Sequence, residues 1–193
     1  MIRAPFFAVV LGAALLLAGC TSLVSAVRDE PVQPDPYETP IGTDINDFQM
    51  ATAIGVNIRK EHPLLAKAHV NVHVYNGVVL LTGEVPSQEM RHLAGEVARR
   101  YPGVRQVHNE LAIQGVSSLL SRTNDRWLTA KVRARLIADD QVDADKIKVV
   151  AENGVIYLMG LVTPQLADRA AQVASTTRGV RKVVRVFEYP ETP

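Results

Sequence analysis

Cysteine is nearly missing from this chain: Cys20 is the single one among 193 residues, so no intramolecular disulfide can form and stability must come from packing. An excess charge of one sign is missing too. With 21 Lys and Arg against 20 Asp and Glu, no basic surplus points to nucleic acid as a partner. Aromatic residues make up 5% of the chain and Trp127 is the one tryptophan, so an aromatic-led surface has few places to be. Beyond residue 20 no apolar run approaches the roughly 20 residues of a spanning helix. There is no glycine-rich phosphate cradle and no serine nucleophile elbow, Ser117 and Ser118 falling between periodic segments. Asp139, Asp140, Asp143 and Asp145 lack the glycine and terminal glutamate of a calcium loop and read as a helix end followed by a solvated loop. The histidines are His62, His69, His73, His92 and His108. His69 and His73 lie four apart in a predicted strand, about 13 Å on one face, too far to share a metal. These absences leave no assembled catalytic, metal or cofactor site and point to a protein that is not an enzyme.

What is present begins at the amino terminus. Arg3 precedes an apolar stretch from Ala4 to Leu17, and Leu17-Ala18-Gly19-Cys20 closes it with small residues. A positive residue, a short apolar run and a small-residue exit are the parts of an export signal. The four residues resemble the lipobox of bacterial lipoproteins. That resemblance implies cleavage before Cys20, diacylation of its thiol and acylation, commonly by palmitate, of the new amino terminus. The 193-residue chain less these 19 residues leaves 174, enough for one ordinary domain or two small ones.

Pro31, Pro34, Pro36 and Pro40 lie among acidic and polar residues after Val27, and this stretch reads as a tether. As a flexible coil of about 25 residues it would have a root-mean-square reach near 28 Å, and roughly 80 Å if extended.

From Asn46 onward the sequence repeats itself. Asn46-Asp47-Phe48-Gln49 returns as Asn124-Asp125-Arg126-Trp127, and both Asn-Asp pairs read as helix N-cap signals. Apolar residues then follow at helical spacing, Met50, Ile54 and Ile58 in one copy and Leu128, Val132 and Leu136 in the other. Alternating Val70 to Val74 turns at Asn76-Gly77 into Val78 to Thr82. Ile147 to Ala151, Asn153-Gly154 and Val155 to Met159 repeat the pattern. Asn-Gly between β-branched runs predicts a hairpin with a type I′ turn, in which both central residues take positive φ. Gly83 and Gly160 close the hairpins, where the backbone bends or approaches another element. A second helix begins near Ser87 and at Thr163-Pro164, and a last strand runs over Val104 to Ile113 and Val180 to Tyr189. The order is αββαβ, twice.

This duplicated unit, with Asn-Gly-x-x-x-Leu-x-Gly at Asn76 to Gly83 and Asn153 to Gly160, resembles the BON domain. Asn124-Asp-x-Trp127, Thr129-x-Lys131-Val132-Arg133 and Tyr157-Leu-Met-Gly-Leu-Val-Thr163 further resemble the dual-BON outer-membrane lipoproteins of Gram-negative envelopes. The resemblance implies an α+β fold of two tandem domains, each a three-stranded mixed sheet with two helices on one face. Residues 1–19 are then a signal peptide, 20–45 the acylated Cys20 and a flexible tether, 46–114 the first domain, 115–123 a linker and 124–190 the second domain. It also implies an outer-membrane location facing the periplasm and recruitment to anionic phospholipid, phosphatidylglycerol or cardiolipin, through the second domain. Enrichment at division sites and a role in envelope integrity and stress follow from the same source. Thr21 fits, because the inner-membrane retention signal would place aspartate there.

The two copies differ most along their first helices. Stepping about 100° per residue from Leu128, the core stripe Leu128, Val132 and Leu136 spans roughly 80°. Trp127, Ala130, Ala134 and Ile137 form a second apolar stripe on the opposite side, flanked by Lys131 on one edge and by Arg126 and Arg133 on the other. The first copy has Gln49, Thr52, Val56 and Arg59 at the stripe positions and lacks the combination. An apolar stripe edged by cations is the pattern of a helix lying in a membrane interface, with tryptophan at headgroup level. Arg135, beside the core stripe, is expected to snorkel outward to the same surface. The alternative is an adaptor that uses this stripe or an exposed strand edge to dock a protein of outer-membrane assembly or cell-wall remodelling.

Overall fold

A computed structural model describes residues 41–114 and 119–190. The signal segment, Cys20, the tether up to residue 40 and linker residues 115–118, with Ser117 and Ser118, lie outside the described residues. The described residues fall in a single compact unit.

The first domain runs α1 (Ile41–Glu61), a short α2 (Pro63–Lys67), β1 (His69–Tyr75), β2 (Val78–Val85), α3 (Gln88–Arg99), β3 (Gln106–Asn109) and β4 (Ala112–Ile113). The second runs α4 (Leu119–Ile137), a 3-10 turn (Ala144–Lys146), β5 (Lys148–Glu152), β6 (Val155–Leu161), α5 (Pro164–Ser175) and β7 (Lys182–Glu188). In each sheet the long middle strand pairs antiparallel with the strand before it and parallel with the last one. The expected last strand of the first copy is broken. β3 and β4 both pair with β2, and between them Leu111 is buried in the helix-side core.

Helix spacing produced the cores that the apolar periods imply. Ile54 and Ile58 of α1 pack with Val79, Leu81, Met90 and Ala94, while Leu128, Val132 and Leu136 of α4 pack with Ile156, Leu158, Ala167 and Ala170. The second helices start as expected: Ser87 Oγ accepts from the Met90 N–H at 3.3 Å, and Thr163 Oγ1 from the Leu166 N–H at 3.2 Å with Pro164 in the first turn. The short α2 was not foreseen, although His62 caps it through Nδ1, 3.1 Å from the Leu64 N–H.

Asn46-Asp47 and Asn124-Asp125 do not start their helices. α1 begins at Ile41 and α4 at Leu119, so both pairs sit inside helix, and α4 takes up residues expected to belong to the linker. The aspartates have another partner. Asp47 carboxylate oxygens accept from the N–H groups of Asn76 and Gly77 at 2.5 and 3.1 Å, and those of Asp125 from Asn153 and Gly154 at 2.8 Å each. Each helix thereby clasps the hairpin turn of its own domain. Asn76, Gly77, Asn153 and Gly154 all have positive φ, between 48° and 74°, as a type I′ turn requires. At Gly83 an added Cβ would lie 1.9 Å from the His69 carbonyl oxygen, and at Gly160 2.3 Å from that of Lys146, so both positions exclude a side chain.

One face of each sheet carries the helices; the other faces meet. Val78 and Leu80 from β2 pack with Val150, Tyr157, Met159 and Val186 of the second sheet. Polar contacts surround this third core. Glu152 Oε2 accepts from Asn71 Nδ2 at 2.9 Å and Thr82 Oγ1 at 3.0 Å, and Glu84 Oε1 accepts from Asn153 Nδ2 at 2.8 Å. Arg105 donates to both carboxylate oxygens of Glu188, at 3.1 and 2.7 Å. Burial, with Glu110 and Glu152 nearby, pushes the Tyr157 hydroxyl up to about 12, so it stays neutral in this interface.

Candidate functional site

The site is built on α4. Burying Leu128, Val132 and Leu136 against the second core turns the opposite side of the helix outward. There Trp127 is 59% and Ile137 63% exposed, with Ala130 and Ala134 also exposed. These two are among the few large apolar side chains the described residues leave open. Single exposed apolar residues are ordinary, but two on one helical stripe, separated only by alanines, form a contiguous patch.

The flanking cations do not all stand alike. Lys131 is half-buried. Its Nζ lies 4.7 Å from the centre of the Trp127 ring and donates to the Arg178 carbonyl oxygen at 3.0 Å. The ammonium therefore braces the indole against the loop that follows α5 and adds a cation–π contact. Arg126 is exposed. Arg133 is exposed too, and it lines a groove shared with the first domain. Arg135 departs from the expected outward snorkel. Its guanidinium donates to Thr177 Oγ1 at 2.8 Å and Thr176 Oγ1 at 3.2 Å, because two hydroxyls just past α5 lie within reach. Arg178, exposed and joined to Lys131 through its carbonyl oxygen, escaped sequence reasoning. It comes from a segment about 50 residues downstream that only the α4–α5 packing brings near.

The corresponding helix of the first domain carries a different surface. Phe48, at the place of Arg126, is 75% exposed, and Arg59 takes the place of Ile137. His73 is half-buried beside Lys148. Loss of hydration and then the nearby ammonium push its imidazole down to about 4, so it is neutral at pH 7. Asp139 is held below the usual carboxylate range by its bond to Arg169, whose guanidinium donates to both carboxylate oxygens. No group of three His, Cys, Asp or Glu among the described residues is placed to hold a metal ion, and none of their helices is long and apolar enough to cross a membrane.

Two αββαβ units joined through their sheets, alike in turn, clasp and core but unlike on their outer helix faces, define a tandem-repeat α+β protein. The BON domain family model matches residues 46–115 and 124–191, and the chain belongs to the BON-domain family, with two copies of the domain. It is 37% identical over 185 residues to the outer membrane lipoprotein DolP of Haemophilus influenzae, covering 94% of each chain. It is 34% identical over 148 residues to the 21 kDa hemolysin of Actinobacillus pleuropneumoniae, over 77% of this chain and 76% of the other. Against the osmotically-inducible protein Y of Escherichia coli the identity is 30% over 145 residues, 72% of each. None of these three is named for an enzymatic reaction.

Proposed function

We propose that this chain is a non-enzymatic outer-membrane lipoprotein that faces the periplasm and binds anionic phospholipid through its second BON domain. Cys20 is the acylated residue. The observation that carries the reading is the outer face of α4, where Trp127 and Ile137 stand open on one stripe while the same helix buries Leu128, Val132 and Leu136 behind them. Trp127 wedges at the interface, Ile137 deepens the contact, and Ala130 and Ala134 let the helix lie close to the surface. Arg126 and Arg133 meet lipid phosphates, and Lys131 sets the indole while adding its charge. The likeness to an outer-membrane lipoprotein over nearly the whole chain supports the location. Enrichment at division sites and support of envelope integrity complete the proposal, the anionic lipid being phosphatidylglycerol or cardiolipin.

Co-sedimentation of the chain from Thr21 onward with vesicles tests this. Binding to vesicles containing phosphatidylglycerol or cardiolipin, weak binding to phosphatidylcholine alone, and loss of binding in Trp127→Glu are expected. Binding that survives unchanged in Trp127→Glu removes the site from the proposal.

A further inference from the structure

We propose that the groove between α1 and the second domain takes an extended acidic peptide segment, which adds to the open edge of β1 as a further strand. This goes beyond the phospholipid reading and does not rest on it, although Arg133 takes part in both.

The edge follows from the hairpin. β1 is the outermost strand of its sheet, and the two-residue turn closes on the pair Tyr75 and Val78, which in such a hairpin is a hydrogen-bonded pair. Asn71, His73 and Tyr75 therefore direct their backbone groups at β2, and Val70, Val72 and Val74 direct theirs away. Lys148 Nζ donates to the Val74 carbonyl oxygen at 2.8 Å, from outside the sheet, as this geometry requires. The outward N–H and C=O of Val70 and Val72 make no hydrogen bond outside their own sheet among the described residues. Such an edge is a template for another strand unless something covers it.

What lies beside it is a groove of about 630 Å³. β1 forms its floor over residues 70–75, about 20 Å, a length for five or six extended residues. One wall is α1, with exposed Phe48 near one end and Arg59 about 16 Å further along the helix. Gly55 shapes that wall: the site of its missing Cβ is 3.6 Å from an Arg59 guanidinium nitrogen and 3.7 Å from Val72 Cγ2. Arg59 thus lies back across the helix toward the strand edge. The other wall belongs to the second domain and carries Arg133 and Lys148.

Charge chooses the occupant. Arg59 and Arg133 make no hydrogen bond or ion pair among the described residues. Both carboxylate oxygens of Asp47 are taken by the turn and His73 is neutral; the other acid lining the walls among the described residues is Asp145. An added strand alternates its side chains between the two walls, and each wall offers it a cation. Main-chain bonds to Val70 and Val72 supply strand recognition, Arg59 and Arg133 select acidic side chains, and Phe48 accepts an apolar one.

Fluorescence anisotropy with a dye-labelled peptide of four Glu-Val repeats tests the proposal on the chain from Thr21 onward, which contains all three cores. The acidic peptide is expected to bind, and a Lys-Val peptide with the same dye at least tenfold more weakly. N-methylation of alternate residues, which blocks one strand edge in each of two isomers, is expected to cost one or both isomers at least tenfold. Arg59→Glu and, separately, Gly55→Glu should each weaken binding at least tenfold. Arg59 is exposed and a Cβ at Gly55 meets only ordinary van der Waals contacts, and circular dichroism reports whether the variants fold. Binding of both methylated isomers as tight as that of the unmethylated peptide overturns strand addition, and binding indifferent to both variants overturns the groove. Vesicles containing phosphatidylglycerol form the other arm: Arg59→Glu should leave their binding unchanged. Loss of vesicle binding equal to the loss of peptide binding makes the groove a headgroup site and overturns the peptide reading.

Discussion

Replacing Trp127 by alanine takes the largest apolar group from the outer face of α4 without touching a core. A tryptophan side chain offers about 150–250 Å² for burial, and with 59% of it exposed about 90–150 Å² remains for a lipid surface. At about 25 cal/mol per Å² this contributes about 2–4 kcal/mol to binding, or roughly 30- to several-hundred-fold in the partition coefficient. Ile137, 63% exposed, contributes about 1–2 kcal/mol by the same reasoning. Each flanking cation adds about 1 kcal/mol near an anionic surface, lost as salt rises. Trp127→Ala should therefore weaken binding to phosphatidylglycerol vesicles by at least 30-fold, and Ile137→Ala by about five- to thirtyfold. Arg135→Ala should change little, because its guanidinium serves Thr176 and Thr177. Trp127 is the one tryptophan, so the parent chain reports its own insertion as a blue shift of fluorescence, and sedimentation reads the variants. If Trp127→Ala and Ile137→Ala both bind within threefold of the parent, the patch is not the membrane contact and the argument fails.

Four further outcomes concern the scaffold. Asp125→Ala leaves two turn N–H groups that had a charged acceptor at 2.8 Å without one, and should cost about 2–4 kcal/mol in urea unfolding; a cost below 1 kcal/mol would show that the clasp contributes little. Gly83→Ala forces a methyl to within 1.9 Å of a carbonyl oxygen at φ 112° and should cost at least about 3 kcal/mol. Gly55→Ala, with room and a helical backbone, should stabilise by about 0.5–1 kcal/mol; reversed signs in thermal melts would refute the assignment. His73 has a folded pKa of about 4 against 6.5 in a model peptide, so the unfolded chain binds more protons between those values. Its contribution is complete above about pH 6.5 and is lost as pH falls toward 4, by up to about 3 kcal/mol. Urea unfolding at pH 7 and pH 4.5 measures the loss, and a His73→Leu chain with the same pH slope would exclude His73 as its source.

Much of this was legible in the residues because duplication prints each signal twice. The Asn-Gly turns, the Ser87 and Thr163 caps and the period-four stripes of α1 and α4 are local patterns, and local patterns survive in sequence. The meeting of the two sheets was also written there, less plainly. Val78 to Leu81 and Val155 to Met159 are apolar at consecutive positions, and a strand buried on both faces reads as a continuous run. Asp47 and Asp125 misled for a physical reason. Asp next to Asn before an apolar period is a cap signal, yet the carboxylates reach hairpin turns about 28 residues away, and only folding reveals that competitor. Arg135 misled in the same way, since its partners lie over 40 residues downstream. The break at Leu111 between β3 and β4 has no comparable signal in the residues around it.

The positions at which the copies part company bear on more than the proposed lipid contact. Helix α4 replaces Gln49 by Trp127, Arg59 by Ile137 and Gly55 by Arg133, which converts a polar face into an apolar one and moves a cation to its edge. The same three positions read in the other direction explain α1. Glycine at 55 opens the wall beside β1, and arginine at 59 bends back into the space so made. Arg133 stands about 40° round α4 from Ile137 and yet lines the groove, so it belongs to both surfaces, while Trp127 belongs to one and Arg59 to the other. A phosphate at the edge of the patch and a carboxylate in the groove would therefore compete for a single guanidinium. Lipid contact through α4 and peptide capture beside β1 are then coupled unfavourably through Arg133. The coupling is bounded by what one charge contributes, about 1 kcal/mol at such a surface, enough to bias the choice between the two ligands by severalfold without forbidding either.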